Sequence, residues 1–146
     1  MTIREATLDD QEVILELAYE FITTTVIGRV TGCTTEALCA LLAAVHRIGV
    51  IYLAQDGHHY LGMIAVVALP HPFNGQTFAE EVAWFVRPEH RDGTAGPRLL
   101  QAAKEWARQH NCWCLKMGAP ADQPQVGTFY ERQGFEAVET AYIKRF

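Results

Sequence analysis

No apolar run in this chain approaches the ~20 residues that a membrane span requires. The longest, around residues 37–45 and 63–69, fall far short. Positive charge is also scarce. Twelve Lys and Arg stand against 17 Asp and Glu, a net charge of −5, which argues against non-specific binding to nucleic acid or to an anionic membrane. It is compatible with a cationic small-molecule partner. The opening stretch MTIREATLDD is charged early and has no apolar signal region, so a cytoplasmic protein is expected. Cysteine is limited to Cys33, Cys39, Cys112 and Cys114. With His58, His59 and His71 they make no recognisable zinc spacing, so no metal is expected and the thiols read as free and buried. Internal repeats, low-complexity segments and linkers are all missing. Residues 1–146 therefore read as a single domain.

What is present is a regular alternation of periodicities. Residues 2–6 are strand-like, and Thr7 with Asp10 resembles a capping box ahead of a helical face through Val13, Ile14, Leu17, Ala18, Phe21 and Ile22. Thr34 or Thr35 caps a second helix carrying Leu38, Leu41, Leu42 and Val45, closed by Gly49. Residues 50–55 and 60–69 are strand-like, with Asp56-Gly57 as a hairpin turn between them. After a loop at 70–75 comes a further strand ending at Val86, then a helix, a strand at Cys112–Met117, and a helix over 123–133 stopped by Gly134. Phe135–Phe146 is expected to supply one or two last strands. Trp84, Trp106 and Trp113 read as core or near-core. The expected architecture is α/β (α+β): a mixed, mostly antiparallel central sheet of about six to seven strands flanked by about four helices.

The chain is organised around residues 80–110. The strand residues Val82 to Val86 are ended by Pro88, and a polar turn follows, Arg91-Asp92-Gly93-Thr94-Ala95-Gly96. Leu99, Leu100, Ala103, Trp106 and Ala107 then form one helical stripe, with Pro97 in the first turn, where its missing N–H is harmless. The first N–H groups of a helix lack internal partners and sit at its positive end. With glycines that let backbone approach, and Arg91 and Arg98 on either side, this turn suits a phosphate or pyrophosphate. An ordinary strand-to-helix connection would use the same residue types.

Two segments carry a resemblance to a known family. Val86-Arg87-Pro88-Glu89-His90-Arg91 leading into Gly93-Thr94-Ala95-Gly96 is similar to the acyl-CoA motif of the GNAT superfamily of acetyl-CoA-dependent N-acetyltransferases. Phe129-Tyr130-Glu131-Arg132-Gln133-Gly134-Phe135 resembles that superfamily's recurrent segment near the C-terminus. Thr94 departs from the motif, where a glycine is usual, and Gln123 stands where many relatives place asparagine.

The resemblance implies acetyl transfer from acetyl-CoA, a cosubstrate used without a metal, to a primary amine on a small molecule or peptide. The amides of Phe85, Val86 and Arg87 would hold the pantetheine arm and the thioester carbonyl. Those from Arg91 through Asp92, Gly93, Thr94, Ala95 and Gly96, with Arg98, would hold the pyrophosphate. Glu80 or Glu81 would be the general base and Tyr130 the general acid. Strand alternation counted back from Val86 favours Glu80, and a bulge would shift the choice to Glu81. His71 and Phe73, in the loop before the central strand, would line the acceptor pocket. Dimers are common among relatives, but no segment here marks an interface. The competing readings are a non-catalytic acyl-CoA-binding or structural protein on the same fold and, far weaker, a metal or thiol enzyme using Cys112, Cys114 and a histidine.

Overall fold

The computed structural model describes residues 1–146. Strand β1 spans Thr2–Glu5, helix α1 Gln11–Thr24, α2 Val26–Thr31, α3 Thr35–Ile48, strand β2 Gly49–Asp56, β3 His59–Pro70, β4 Thr77–Val86, helix α4 Ala95–Gln109, strand β5 Leu115–Lys116 and helix α5 Pro124–Arg132. The local signals explain most of these boundaries. Thr7 and Asp10 form a reciprocal capping box ahead of α1. Thr34 accepts from the Ala37 N–H to start α3. Gly57, at φ 59°, makes the hairpin between β2 and β3. Asp10 is buried and takes both guanidinium ends of Arg4 at 2.7 and 2.8 Å, which pins β1 to the start of α1. That hydrogen-bonded Arg4 holds the Asp10 carboxyl well below the usual carboxylate range.

The sheet order is β1-β2-β3-β4-β5. The first four strands are antiparallel, and β5 joins β4 in parallel after the α4 crossover. Ile14, Leu17, Val45, Ile51, Leu53, Met63, Ala65 and Phe85 fill the layer between the sheet and α1 and α3. Val50, Ile64, Val66, Ala79, Leu99, Ala103 and Trp106 fill the opposite layer, under α4. No helix is long and apolar enough to cross a membrane.

Several expectations are corrected. The sheet has five strands rather than six or seven, and there are five helices rather than four. The extra helix is α2, which Thr25 caps by accepting from the Gly28 N–H. Residues 135–146 form no strand. The adjacent edge gives them little to pair with, because β5 is only Leu115–Lys116 before Gly118 and Pro120 end it. None of the four cysteines is buried, and Cys33 is exposed. Trp113 is 56% exposed, although its N–H bonds the Thr77 carbonyl of β4 at 2.8 Å.

Candidate functional site

The site begins with an irregularity in β4. Across the β3–β4 pair Ala65 faces Ala83 and Val66 faces Glu81, so Val82 is an extra residue in the ladder. The bulge lets Val82 and Ala83 both pack toward the α1 and α3 layer. Before it, Ala79 and Glu81 share the α4 face with Trp84 and Val86, and Glu80 takes the other face. Of the two carboxylates offered by the sequence, the structure turns them to opposite sides. Glu80 pairs with Lys116 at 3.4 Å, and Lys116 in turn meets Glu139 at 2.6 Å.

Glu81 reaches instead across to the end of β5. Its Oε2 accepts from the Gly118 N–H at 2.8 Å. The Tyr130 hydroxyl donates to the Gly118 carbonyl at 2.9 Å. One glycine thus holds both side chains by its two backbone groups. The Glu81 residue is half-buried, but its carboxyl is enclosed, and burial pushes its pKa up to about 7. The Gly118 and Trp84 N–H groups work against that rise, and the charge on Glu80 adds to it. Tyr130 is 6% exposed. Burial, reinforced by the negative charge of Glu81, raises its phenol well above the ordinary range, so it is a neutral donor.

Beside this pair runs an open edge. Strand β5 covers only Ala79 and Glu80, so the β5 side of β4 is unpaired from Glu81 to Val86. The Arg87 N–H bonds the Leu61 carbonyl on β3. Strand alternation turns Phe85 the same way and points the peptide groups of Trp84 and Val86 into the gap. Of the three residues expected to offer amides there, only Val86 does. Phe85 faces β3 and is buried, and Arg87 is tied by its guanidinium to Glu16, Glu20 and the Tyr60 carbonyl. Trp84 is the amide that sequence reasoning missed, because the direction of each peptide group depends on register rather than on side-chain type.

At the far end of the gap lies the glycine-containing turn. The Gly93 N–H bonds the His90 carbonyl, whereas those of Asp92, Thr94, Ala95 and Gly96 have no protein acceptor. Gly96 lies so close to β4 that a Cβ there would stand 3.3 Å from Trp84 Cζ2, which favours a residue without a side chain in the first turn of this helix. Arg91 Nε donates to the Val86 carbonyl at 2.9 Å, and its guanidinium lies 5.7 Å from the Phe85 ring centre. Arg98 does not join the turn. It reaches over α4 to the Met1 carbonyl at 3.0 Å.

His71 and Phe73 are brought together, with the Phe73 N–H donating to His71 Nδ1 at 3.2 Å. The His71 ring also meets Phe78 and Trp113 edge-on, at 5.1 and 5.6 Å. The cluster sits at the start of β4 and shares no hydrogen bond or ring contact with Glu81 or Tyr130. Gly118 is the other residue the sequence reading passed over, as nothing marks it there beyond the end of a strand. A surface cavity of about 330 Å³, lined by Ile3, Tyr52, Arg98, Glu105, Trp106 and Gln109, lies away from this site.

The short β5 leaves an edge of β4 unpaired, with a helix N-terminus at one end of it and an enclosed carboxyl and phenol at the other. The chain belongs to the acetyltransferase (GNAT) family, whose family model matches residues 16–135. It is 36% identical over 59 residues to YhfO of Bacillus subtilis (strain 168), described as an uncharacterized N-acetyltransferase. That match spans 40% of this chain and 39% of the length of the relative. Its fold is shared with the aminoglycoside antibiotic 6′-N-acetyltransferase AAC(6′)-IG from Acinetobacter haemolyticus, at a TM-score of 0.77 and 18% identity over 100% of this chain and 99% of that one. It is shared equally with AAC(6′)-Iy, solved in complex with the bisubstrate analogue CoA-S-monomethyl-acetylneamine, at a TM-score of 0.80 and 16% identity over 99% and 97% of the two chains.

Proposed function

We propose that this protein transfers the acetyl group of acetyl-CoA to a primary amine of a small molecule or peptide, by direct attack within a ternary complex. The observation that carries the reading is the grip of Glu81 and Tyr130 on Gly118, beside the unpaired stretch of β4. The residues fit the coenzyme in chemical type. The free N–H groups of Asp92, Thr94, Ala95 and Gly96, with Arg91, suit a diphosphate, and the Trp84 carbonyl and Val86 N–H suit an arm lying along β4. Acetyl-CoA supplies the acyl group as a thioester. Glu81, which titrates near neutrality, takes the proton that the ammonium must lose before its nitrogen can attack. The Val86 N–H polarises the thioester carbonyl. Tyr130 gives its proton to the departing thiolate sulfur as the carbon–sulfur bond breaks, and regains one through solvent as the attacking nitrogen sheds its second proton. His71 and Phe73 stand at the acceptor end.

The reading is tested with purified protein, acetyl-CoA and a panel of primary amines spanning aminoglycosides, polyamines and peptide termini. Acetylated product is detected by mass, because the exposed Cys33 would itself react with a thiol reagent. Turnover of at least one amine class is expected. Binding of CoA without turnover of any class would instead identify an acyl-CoA-binding protein.

A further inference from the structure

Trp84 Nε1 is the one buried side-chain nitrogen or oxygen in the protein with no hydrogen-bond partner. An orphaned donor of this kind costs about 1–3 kcal/mol, and folded proteins keep few of them. The surroundings explain why it has no acceptor. The indole lies against the Phe129 and Tyr130 rings, with centres 5.9 and 5.7 Å away and planes tilted by 32° and 31°. On its other side is Gly96, which has no side chain to offer. The ring therefore bridges the first turn of α4 and the body of α5, across the opening beside β4.

We propose that the Trp84 indole N–H is the donor for an amide carbonyl in the pantetheine arm of coenzyme A, reached when the arm parts Trp84 from Phe129. The inference rests on the coenzyme assignment above. The position selects the arm. Trp84 lies on β4 between the free N–H groups of Asp92, Thr94, Ala95 and Gly96, which suit the diphosphate, and Glu81, where the thioester must end. A ligand stretched between those points presents neutral amide carbonyls at the level of Trp84, and a neutral indole donor matches them in charge. The N–H is shielded from solvent in the free protein, so its bond forms only as α5 yields. Trp84 is thus a cosubstrate-binding residue whose donor has no partner until the ligand arrives.

The test is a titration of ¹⁵N-labelled protein followed through its indole N–H signals. Only Trp84, Trp106 and Trp113 contribute, and Trp84→Phe, or elimination with Trp106→Phe and Trp113→Phe if that variant does not fold, assigns the signal. CoA and pantetheine are expected to move the Trp84 signal downfield, whereas ADP, a diphosphate without the arm, leaves its hydrogen bonding unchanged. By calorimetry Trp84→Phe weakens CoA roughly 3- to 10-fold, the worth of one neutral hydrogen bond. Its affinity for ADP stays the same, which a merely disturbed fold would not allow. A Trp84 signal that stays in place while calorimetry reports CoA binding overturns this inference alone. Absence of heat with CoA in the wild-type protein overturns the coenzyme assignment beneath it.

Discussion

Replacing Glu81 by glutamine separates what this carboxyl does for the fold from what it does for chemistry. Glutamine keeps an oxygen for the Gly118 N–H and removes the charge. Raising the carboxyl from 4.5 to about 7 corresponds to about 3 kcal/mol in favour of the protonated form. The residue is only half-buried, and solvent screening reduces the effect on folding to about 1–2 kcal/mol. The sign follows from proton counting. The native state holds this proton more tightly than the unfolded chain, so its contribution is complete below pH ~4.5 and disappears as the pH rises through about 7. Glu81→Gln should therefore match the wild type in thermal unfolding near pH 4.5 and exceed it by roughly 3–6 °C at pH 8. The same variant should lose about 10²- to 10⁴-fold in kcat, the usual worth of a general base. Wild-type kcat/KM should rise with pH through about 7. Melting curves that differ by the same amount at every pH would refute the burial argument, and full turnover by the variant would remove Glu81 from the chemistry.

Other perturbations address the remaining parts. Tyr130→Phe should lower kcat about 10²-fold with little change in CoA affinity, measured by steady-state kinetics beside calorimetry. Arg91→Ala should weaken CoA roughly 5- to 30-fold, and the effect should shrink at high salt, as expected for a charge on a diphosphate. Asp10→Asn should destabilise the protein by about 2–4 kcal/mol in urea unfolding, since it leaves the Arg4 guanidinium without its carboxylate partner. Because Arg4 lowers the Asp10 pKa, the stability that this pair supplies is present above the unfolded value near 3.8 and is lost on acidification below it.

Much of the frame was legible because it rests on local chemistry. Thr7 and Asp10, Thr34, Gly57 and Gly134 each mark a boundary through a backbone need that their neighbours do not alter. The strand–turn–helix unit at 80–110 was readable for the same reason. Decisions taken by distant partners were not. The bulge at Val82 depends on two successive apolar residues both finding room in one layer, which no periodicity announces. Arg98 was expected at the turn and is drawn to a carbonyl 97 residues away, and Arg87 is drawn to α1. The tail at 135–146 has strand-like residues, but a ladder needs an edge longer than the two residues of β5.

The shared hold on Gly118 has a consequence for the order of events in the proposed reaction. While Glu81 is ionised, its charge strengthens the grip of the Tyr130 phenol on its proton. Once Glu81 has been neutralised by the incoming amine, that opposition is gone, and the phenol releases its proton more readily. The acid thereby becomes more competent once the base has acted.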